Sequence, residues 1–179
     1  MTVVVPHYTM GNPAAAADDV VQATAWADQL PRRGPLTIGG HSSGATMAAL
    51  VVDQGRTVQV DSMVLLSGLY DLPGAVADGG IAAQVVRRAF GSDEATWAAN
   101  SPTQYVRAGL PPTWILHGTA DNDASPARAE AFATQLGAVG TVVRWTPISG
   151  VGHIDSLPAL ALRPSLGDAL VAWLRKAEL

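Results

Sequence analysis

One stretch restricts the fold more than any other: Leu36-Thr37-Ile38-Gly39-Gly40-His41-Ser42-Ser43-Gly44-Ala45-Thr46-Met47-Ala48-Ala49-Leu50. It reads as a buried strand, a tight turn and a helix, with a serine at the turn. Gly40, Ser42 and Gly44 form G-x-S-x-G, in which flanking glycines leave room for a strained backbone and the serine hydroxyl is held above the strand's end. The pattern is short. In a glycine-rich chain it also describes a strand-to-helix turn that binds nothing or holds an anion.

The rest of the chain supplies the context. Val3 to Val5 is a β-branched run ending at Pro6, and Asn12-Pro13 supplies an N-cap and first-turn proline for a helix from Ala14 to about Gln29. Ala16, Val20, Ala23, Ala27 and Leu30 recur there at helical spacing, with Trp26 beside them, until Pro31-Arg32-Arg33-Gly34-Pro35 breaks the pattern. After the elbow helix, which runs to about Val52, comes an apolar strand from Val60 to Leu66. A long connection follows, with one weak helix around Ile81 to Phe90. Thr113 to Leu116 reads as a strand, Pro126 to Leu136 as a helix, Thr141 to Trp145 as a strand and Pro158 to Lys176 as a final helix. Alternation of this kind predicts an α/β fold of about five mainly parallel strands with right-handed crossovers. Its ligand site falls at the carboxyl ends of the strands. A chain of 179 residues, 48% hydrophobic, suits one domain over 1–179, with the segment 69–105 as a small cap.

Charge and composition exclude several classes. The net charge is −4 and no run of Lys or Arg is present, so nothing holds a phosphate backbone and no nucleic-acid partner is expected. No apolar run reaches membrane-spanning length and the N-terminus lacks a signal-peptide pattern, which predicts a soluble, cytoplasmic chain without a membrane partner. There is no cysteine, which removes disulfides, thiolate metal sites and a cysteine nucleophile and leaves serine as the covalent candidate. The histidines form neither an H-x-H nor an i, i+4 pair, and no lysine-bearing phosphate loop is present. No metal and no organic cofactor are expected.

An acid and an imidazole follow at strand ends. The fourth predicted strand empties into His117-Gly118-Thr119-Ala120-Asp121 and the fifth is followed by Gly150-Val151-Gly152-His153. Ser42, Asp121 and His153 thus converge on one sheet edge, in the chain order Ser, Asp, His. Their chemistry is complementary. A neutral imidazole takes the serine proton as the oxygen attacks a carbonyl, and the carboxylate fixes the tautomer and stabilises the imidazolium. Asp123, two residues on, is the other candidate orienter, with whichever acid is not used left to cap the Pro126 helix. His117 reads as a structural group at the strand end, and His41 as pointing into the sheet or lying behind the nucleophile.

At these residues the chain resembles the α/β-hydrolases, and among them the hormone-sensitive-lipase-like carboxylesterases and kynurenine-formamidase-like enzymes. Tyr8-Thr9-Met10, Pro13, Ala17-Asp18-Asp19-Val20 to Trp26, Gly40-His41-Ser42-Ser43-Gly44, Ser67-Gly68-Leu69-Tyr70-Asp71-Leu72, Asn100-Ser101-Pro102, His117-Gly118-Thr119-Ala120-Asp121 and Gly152-His153 carry the likeness. The resemblance implies a minimal α/β-hydrolase fold, Ser42 as nucleophile, Asp121 and His153 as its partners and the Ser43 amide as one oxyanion donor. It also implies two or three further strands and a His-Gly-Gly oxyanion loop ahead of this region, which the sequence does not contain. In their absence Val3 to Val5 is expected beside the elbow strand, bringing His7 or Tyr8 to the oxyanion. A bare sheet face or edge is expected to find a second copy, as a homodimer or larger homo-oligomer. The activity implied is hydrolysis of short-chain acyl or aryl esters, small-molecule substrates that suit a small cleft. The alternatives are an arylformamidase-like acyl hydrolase and a truncated, non-catalytic binding domain.

Overall fold

The computed structural model describes residues 1–9, 11–31 and 34–175. Met10, Arg32, Arg33 and Lys176, which enter the sequence motifs and the predicted end of the last helix, lie outside them. The order of elements is α1 (Pro13–Asp28), β1 (Thr37–His41), α2 (Ser43–Asp53), β2 (Ser62–Leu66), α3 (Leu72–Asp78), α4 (Gly80–Phe90), α5 (Glu94–Ala99) and a 3-10 turn at Pro102–Tyr105. Then come β3 (Thr113–Gly118), α6 (Pro126–Ala138), β4 (Val143–Ile148), α7 (Ser156–Leu162) and α8 (Pro164–Arg175).

The four strands form one parallel sheet in the order β1-β2-β3-β4. Sequential order with right-handed crossovers puts every crossover helix on the same face. That face carries the larger core, where Ala45, Ala48, Ala49 and Leu50 of α2 and Phe132 and Leu136 of α6 meet Met63, Leu65 and Ile115 of the strands. The alanines let α2 lie close on the sheet, and each large apolar side chain buried there contributes roughly 1.5–3 kcal/mol. Strand alternation sends Leu66, Trp114, Leu116 and Ile148 to the opposite face, where Leu166, Leu170 and Trp173 of α8 pack on them.

Two expectations about the sheet change. Val3 to Val5 is not a strand, so among the described residues the sheet has four strands, not about five; Val3 and Val5 are 70% and 84% exposed. β-propensity reflects packing on a half-buried pleated surface, and three residues ahead of a proline offer little ladder. The segment is tied instead to α1, through the Thr9 amide and hydroxyl donating to Asp19 Oδ2, each at 2.8 Å. The second change is that α7 and α8 cover the face expected to be bare. The physical ground for self-association narrows to the two sheet edges, the outer sides of β1 and β4, which pair with no strand among the described residues.

The helices differ in detail from the sequence pattern. The predicted last helix is two, because Pro164 lacks the N–H and disfavours a helical residue before it, and Arg163 is extended. The 69–105 connection holds three helices in place of one. Asp71 caps α3 by accepting from the Gly74 amide and Asp93 caps α5 by accepting from the Thr96 amide, while Leu72, Val76, Val86 and Trp97 bury against one another as a separate apolar cluster.

Candidate active site

The turn between β1 and α2 has the backbone of a nucleophile elbow. Ser42 sits at φ 55°, ψ −124°, a conformation that costs a non-glycine residue on the order of 1–3 kcal/mol. Its N–H donates to the Leu66 carbonyl at the end of β2, which fixes the turn to the sheet. A Cβ on Gly40 would stand 2.4 Å from the Gly44 carbonyl carbon, so only glycine fits there; around Gly44 the same position is open. Of the two motif glycines, Gly40 alone is required sterically. Ser42 is the N-cap of α2, yet its side chain makes no capping hydrogen bond. The hydroxyl is turned to His153 instead, and the Ser43 amide opens the helix among the N–H groups that have no acceptor within it.

Asp121 and His153 reach Ser42 from two further strand ends. The loop after β4 crosses the end of β3 so closely that a Cβ on Gly118 would lie 2.1 Å from the Val151 carbonyl oxygen. The Thr119 amide donates to the Ile148 carbonyl and the Ala120 amide to that of Val151, each at 3.0 Å, while the Gly150 amide donates to Thr119 Oγ1. Ser42 Oγ lies 2.8 Å from His153 Nε2, and His153 Nδ1 lies 2.8 Å from Asp121 Oδ2. Because an ionised carboxylate only accepts, Nδ1 carries the proton and Nε2 presents its lone pair to the serine hydroxyl.

The acid is held from every side. Asp121 Oδ1 accepts from the amides of Asp123 and Ala124 at 2.9 and 2.8 Å, leaving Oδ2 for the imidazole. His117, fully buried, points Nε2 at Oδ2 (3.1 Å) and at the Ala124 carbonyl (3.0 Å). Both partners are acceptors, so Nε2 is protonated. Burial alone would raise the Asp121 carboxyl; the hydrogen bonds from His117, His153 and the Ala124 amide outweigh it and hold the group well below the usual carboxylate range. The hydrogen bond to Asp121 raises His153, against a smaller opposing effect of burial, and the charges of Asp121 and Asp123 raise it further. Asp123 therefore acts on His153 only through its charge, and its backbone amide steadies Asp121.

A family profile described as alpha/beta hydrolase fold matches residues 1–154. The chain belongs to the alpha/beta hydrolase fold family. Among solved structures, this hydrolase is similar to the apo form of Thermogutta terrifontis esterase 2, at 25% identity and a TM-score of 0.69 over 91% of this chain and 67% of that one. The propionate-bound form of the same esterase matches at 25% identity and 0.65 over 88% and 64%. Pyrococcus horikoshii acylaminoacyl peptidase is alike in fold alone, at 15% identity and 0.70 over 83% of this chain and 24% of that one. The hydrolase spans about two thirds of the length of these esterase structures. No curated protein matches its sequence.

The structure joins Ser42, Asp121 and His153, with the Ser43 amide beside the nucleophile, and leaves His7 and Tyr8 apart. His7 is exposed and Tyr8 packs, half-buried, against the larger core; among the described residues no hydrogen bond links either to Ser42 or Ser43. With Val3 to Val5 outside the sheet, the expected route of His7 and Tyr8 to the site, alongside β1, is absent from this hydrolase. A cavity of about 260 Å³ lined by Asp71, Thr103, Gln104, Arg128 and Phe132 shares no residue with the relay. Its Arg128 is already committed to Asp71 and Asp78. No group of three or more His, Asp or Glu among the described residues is placed to hold a metal ion. Sequence reasoning missed the parts played by His117 and Gly118, although His-Gly ahead of the acid was in view. What was lacking was the knowledge that the β4 loop crosses there.

Proposed function

We propose that this hydrolase is a serine carboxylesterase that cleaves short-chain acyl or aryl esters through an acyl-enzyme. The observation that carries the reading is the hydrogen-bonded relay Ser42–His153–Asp121, seated on a strained elbow whose hydroxyl caps nothing. Ser42 is the nucleophile. Neutral His153 takes its proton at Nε2 as Oγ attacks the ester carbonyl, then gives that proton to the departing alcohol; the reverse sequence, with water as nucleophile, releases the acid. Asp121 keeps the proton of the resting imidazole on Nδ1 and stabilises the imidazolium.

The oxyanion is met by the Ser43 amide at the start of α2, where the helix dipole also favours negative charge. The second donor is assigned to the segment of His7 and Tyr8, through backbone or side chain, which in this structure stands apart from Ser42. Helices α3 to α5 form the cap over the acyl site. The experiment is hydrolysis of p-nitrophenyl acetate and butyrate by the wild type beside Ser42→Ala. Turnover well above the variant is the expected result. Equal inactivity of two folded proteins overturns the reading and favours a non-catalytic binding domain. A preference for N-formyl arylamines over both esters would favour the formamidase alternative.

A further inference from the structure

We infer that His41 and Ser156 are positioning residues that hold the catalytic imidazole through its own backbone carbonyl, an inference that rests on the esterase reading of the relay. His153 lies on the loop between β4 and α7, which turns at Gly150 with φ 70° and has no ladder of its own. On the acid side the loop is pinned by its hydrogen bonds to Thr119 and Ala120. On the nucleophile side the contacts converge on the His153 carbonyl. His41 Nε2 donates to it at 3.0 Å and Ser156 Oγ donates to it at 2.7 Å. Ser67 Oγ in turn donates to Ser156 Oγ at 3.0 Å, and both serines are fully buried.

A carbonyl oxygen has two lone pairs, and here both are taken. The donors come from the end of β1 and the start of α7, the second backed by the end of β2. His41 immediately precedes Ser42, so the last residue of β1 grips the loop that carries the base while the next residue carries the nucleophile. One strand end thus sets both reacting groups, and the His41 ring lies against the His153 ring, with centroids 5.1 Å apart and planes tilted by 46°. Misplacement by about 1 Å in such a constellation costs on the order of a hundredfold in rate. The clamp acts on where Nε2 stands relative to Oγ, and not on substrate binding, so its loss lowers kcat and leaves KM.

The test is steady-state hydrolysis of p-nitrophenyl acetate by the wild type, Ser42→Ala, His41→Leu, His41→Gln, Ser156→Ala and the His41→Leu/Ser156→Ala double variant. Alongside it, proton NMR follows the His153 Nδ1–H resonance, and thermal melts check folding. Each of His41→Leu and Ser156→Ala is expected to lower kcat about tenfold with KM within about twofold, and the double variant about a hundredfold. The resonance broadens or disappears in step. His41→Gln, whose amide N–H reaches the same carbonyl, restores most of kcat and a sharp resonance. Full kcat in His41→Leu, or His41→Gln as impaired as His41→Leu, overturns the inference. If the wild type is no faster than Ser42→Ala, the esterase reading has failed, and the resonance alone decides: unchanged in His41→Leu, it overturns the clamp as well. Should the double variant not fold, the comparison of Leu with Gln at the half-exposed position 41 stands by itself.

Discussion

Ser42 and Ser67 occupy equivalent places at the ends of adjacent parallel strands and meet different fates. Both have left-handed backbones, φ 55° and 51°, and each N–H donates at 2.9 Å to a carbonyl of the next strand, that of Leu66 at the end of β2 for Ser42 and that of Leu116, two residues before the end of β3, for Ser67. Strain at a strand end therefore does not make a nucleophile. Ser42 passes directly into α2 and leaves its hydroxyl partly open to solvent against an imidazole. Ser67 is followed by Gly68, where a Cβ would stand 2.6 Å from the Tyr70 hydroxyl, and its own hydroxyl is sealed beneath Ser156. What differs is the partner and the access, and both are set by elements distant in sequence.

The comparison breaks most directly by truncating each serine. Ser42→Ala should lower kcat for p-nitrophenyl acetate by about a hundred-thousandfold or more without lowering the melting temperature, whereas Ser67→Ala should stay within about tenfold. A Ser67→Ala variant as dead as Ser42→Ala would show that the two sites were assigned wrongly. Asp121→Asn should come next, lowering kcat about ten-thousandfold below wild type or somewhat less. An amide offers the imidazole the wrong tautomer, which leaves Ser42 as inert as Ser67, strained and without a base. Normal activity in Asp121→Asn would transfer the orienting role to another acid.

A smaller effect sharpens the contrast from the far end of α2. Asp53, 1% exposed and without a hydrogen-bond partner for its carboxylate oxygens among the described residues, is pushed up to about 8 by burial, against the opposing charge of Arg107. An acid raised on folding costs nothing below its unfolded pKa, about 4; its penalty grows as pH rises and is complete above about 8. Asp53→Asn should therefore raise the melting temperature relative to wild type by an amount that increases from pH 4 to pH 8, to about 10 °C, and then levels off. A pH-independent difference would contradict the buried acid. Strain at Ser42 serves a hydroxyl that has a base beside it; the penalty at Asp53 has no such partner.

The smallest effect concerns the base itself. Activity needs neutral His153 and falls as pH drops through its raised pKa. Removing the charge in Asp123→Asn should move the acid limb of the kcat profile to lower pH while the plateau rate holds. A limb that stays in place would mean that Asp123 is screened from the imidazole.

Much of this was legible before the structure, for local reasons. The cap and proline at Asn12-Pro13 start α1, Pro126 starts α6, and the glycine-flanked serine starts α2, because these signals act over three or four residues. Local signals also misled. The apolar pattern placed the last strand at Thr141 to Trp145, yet β4 runs through Pro147 to Ile148, since an edge strand can spare the missing donor. Val3 to Val5 has the composition of a strand, yet among the described residues it pairs with none.

The sequence alone determined the alternation of strands and helices, the parallel sheet that follows from it, and the presence of a serine, an acid and an imidazole at three strand ends. Tertiary structure decided which acid faces the imidazole. The Asp123 and Ala124 amides occupy one oxygen of Asp121 and His117 steadies the other, so only Asp121 is aimed at Nδ1. It also decided that His41 holds the His153 carbonyl rather than facing into the sheet, and that α7 and α8 cover the second face. Chain patterns specify what each segment becomes, through periodicity and turn chemistry over a few residues. Which atoms meet across more than a hundred residues, as Ser42 and His153 do, depends on how closely two loops pass, and the missing Cβ of Gly118 lets the β4 loop lie against the end of β3.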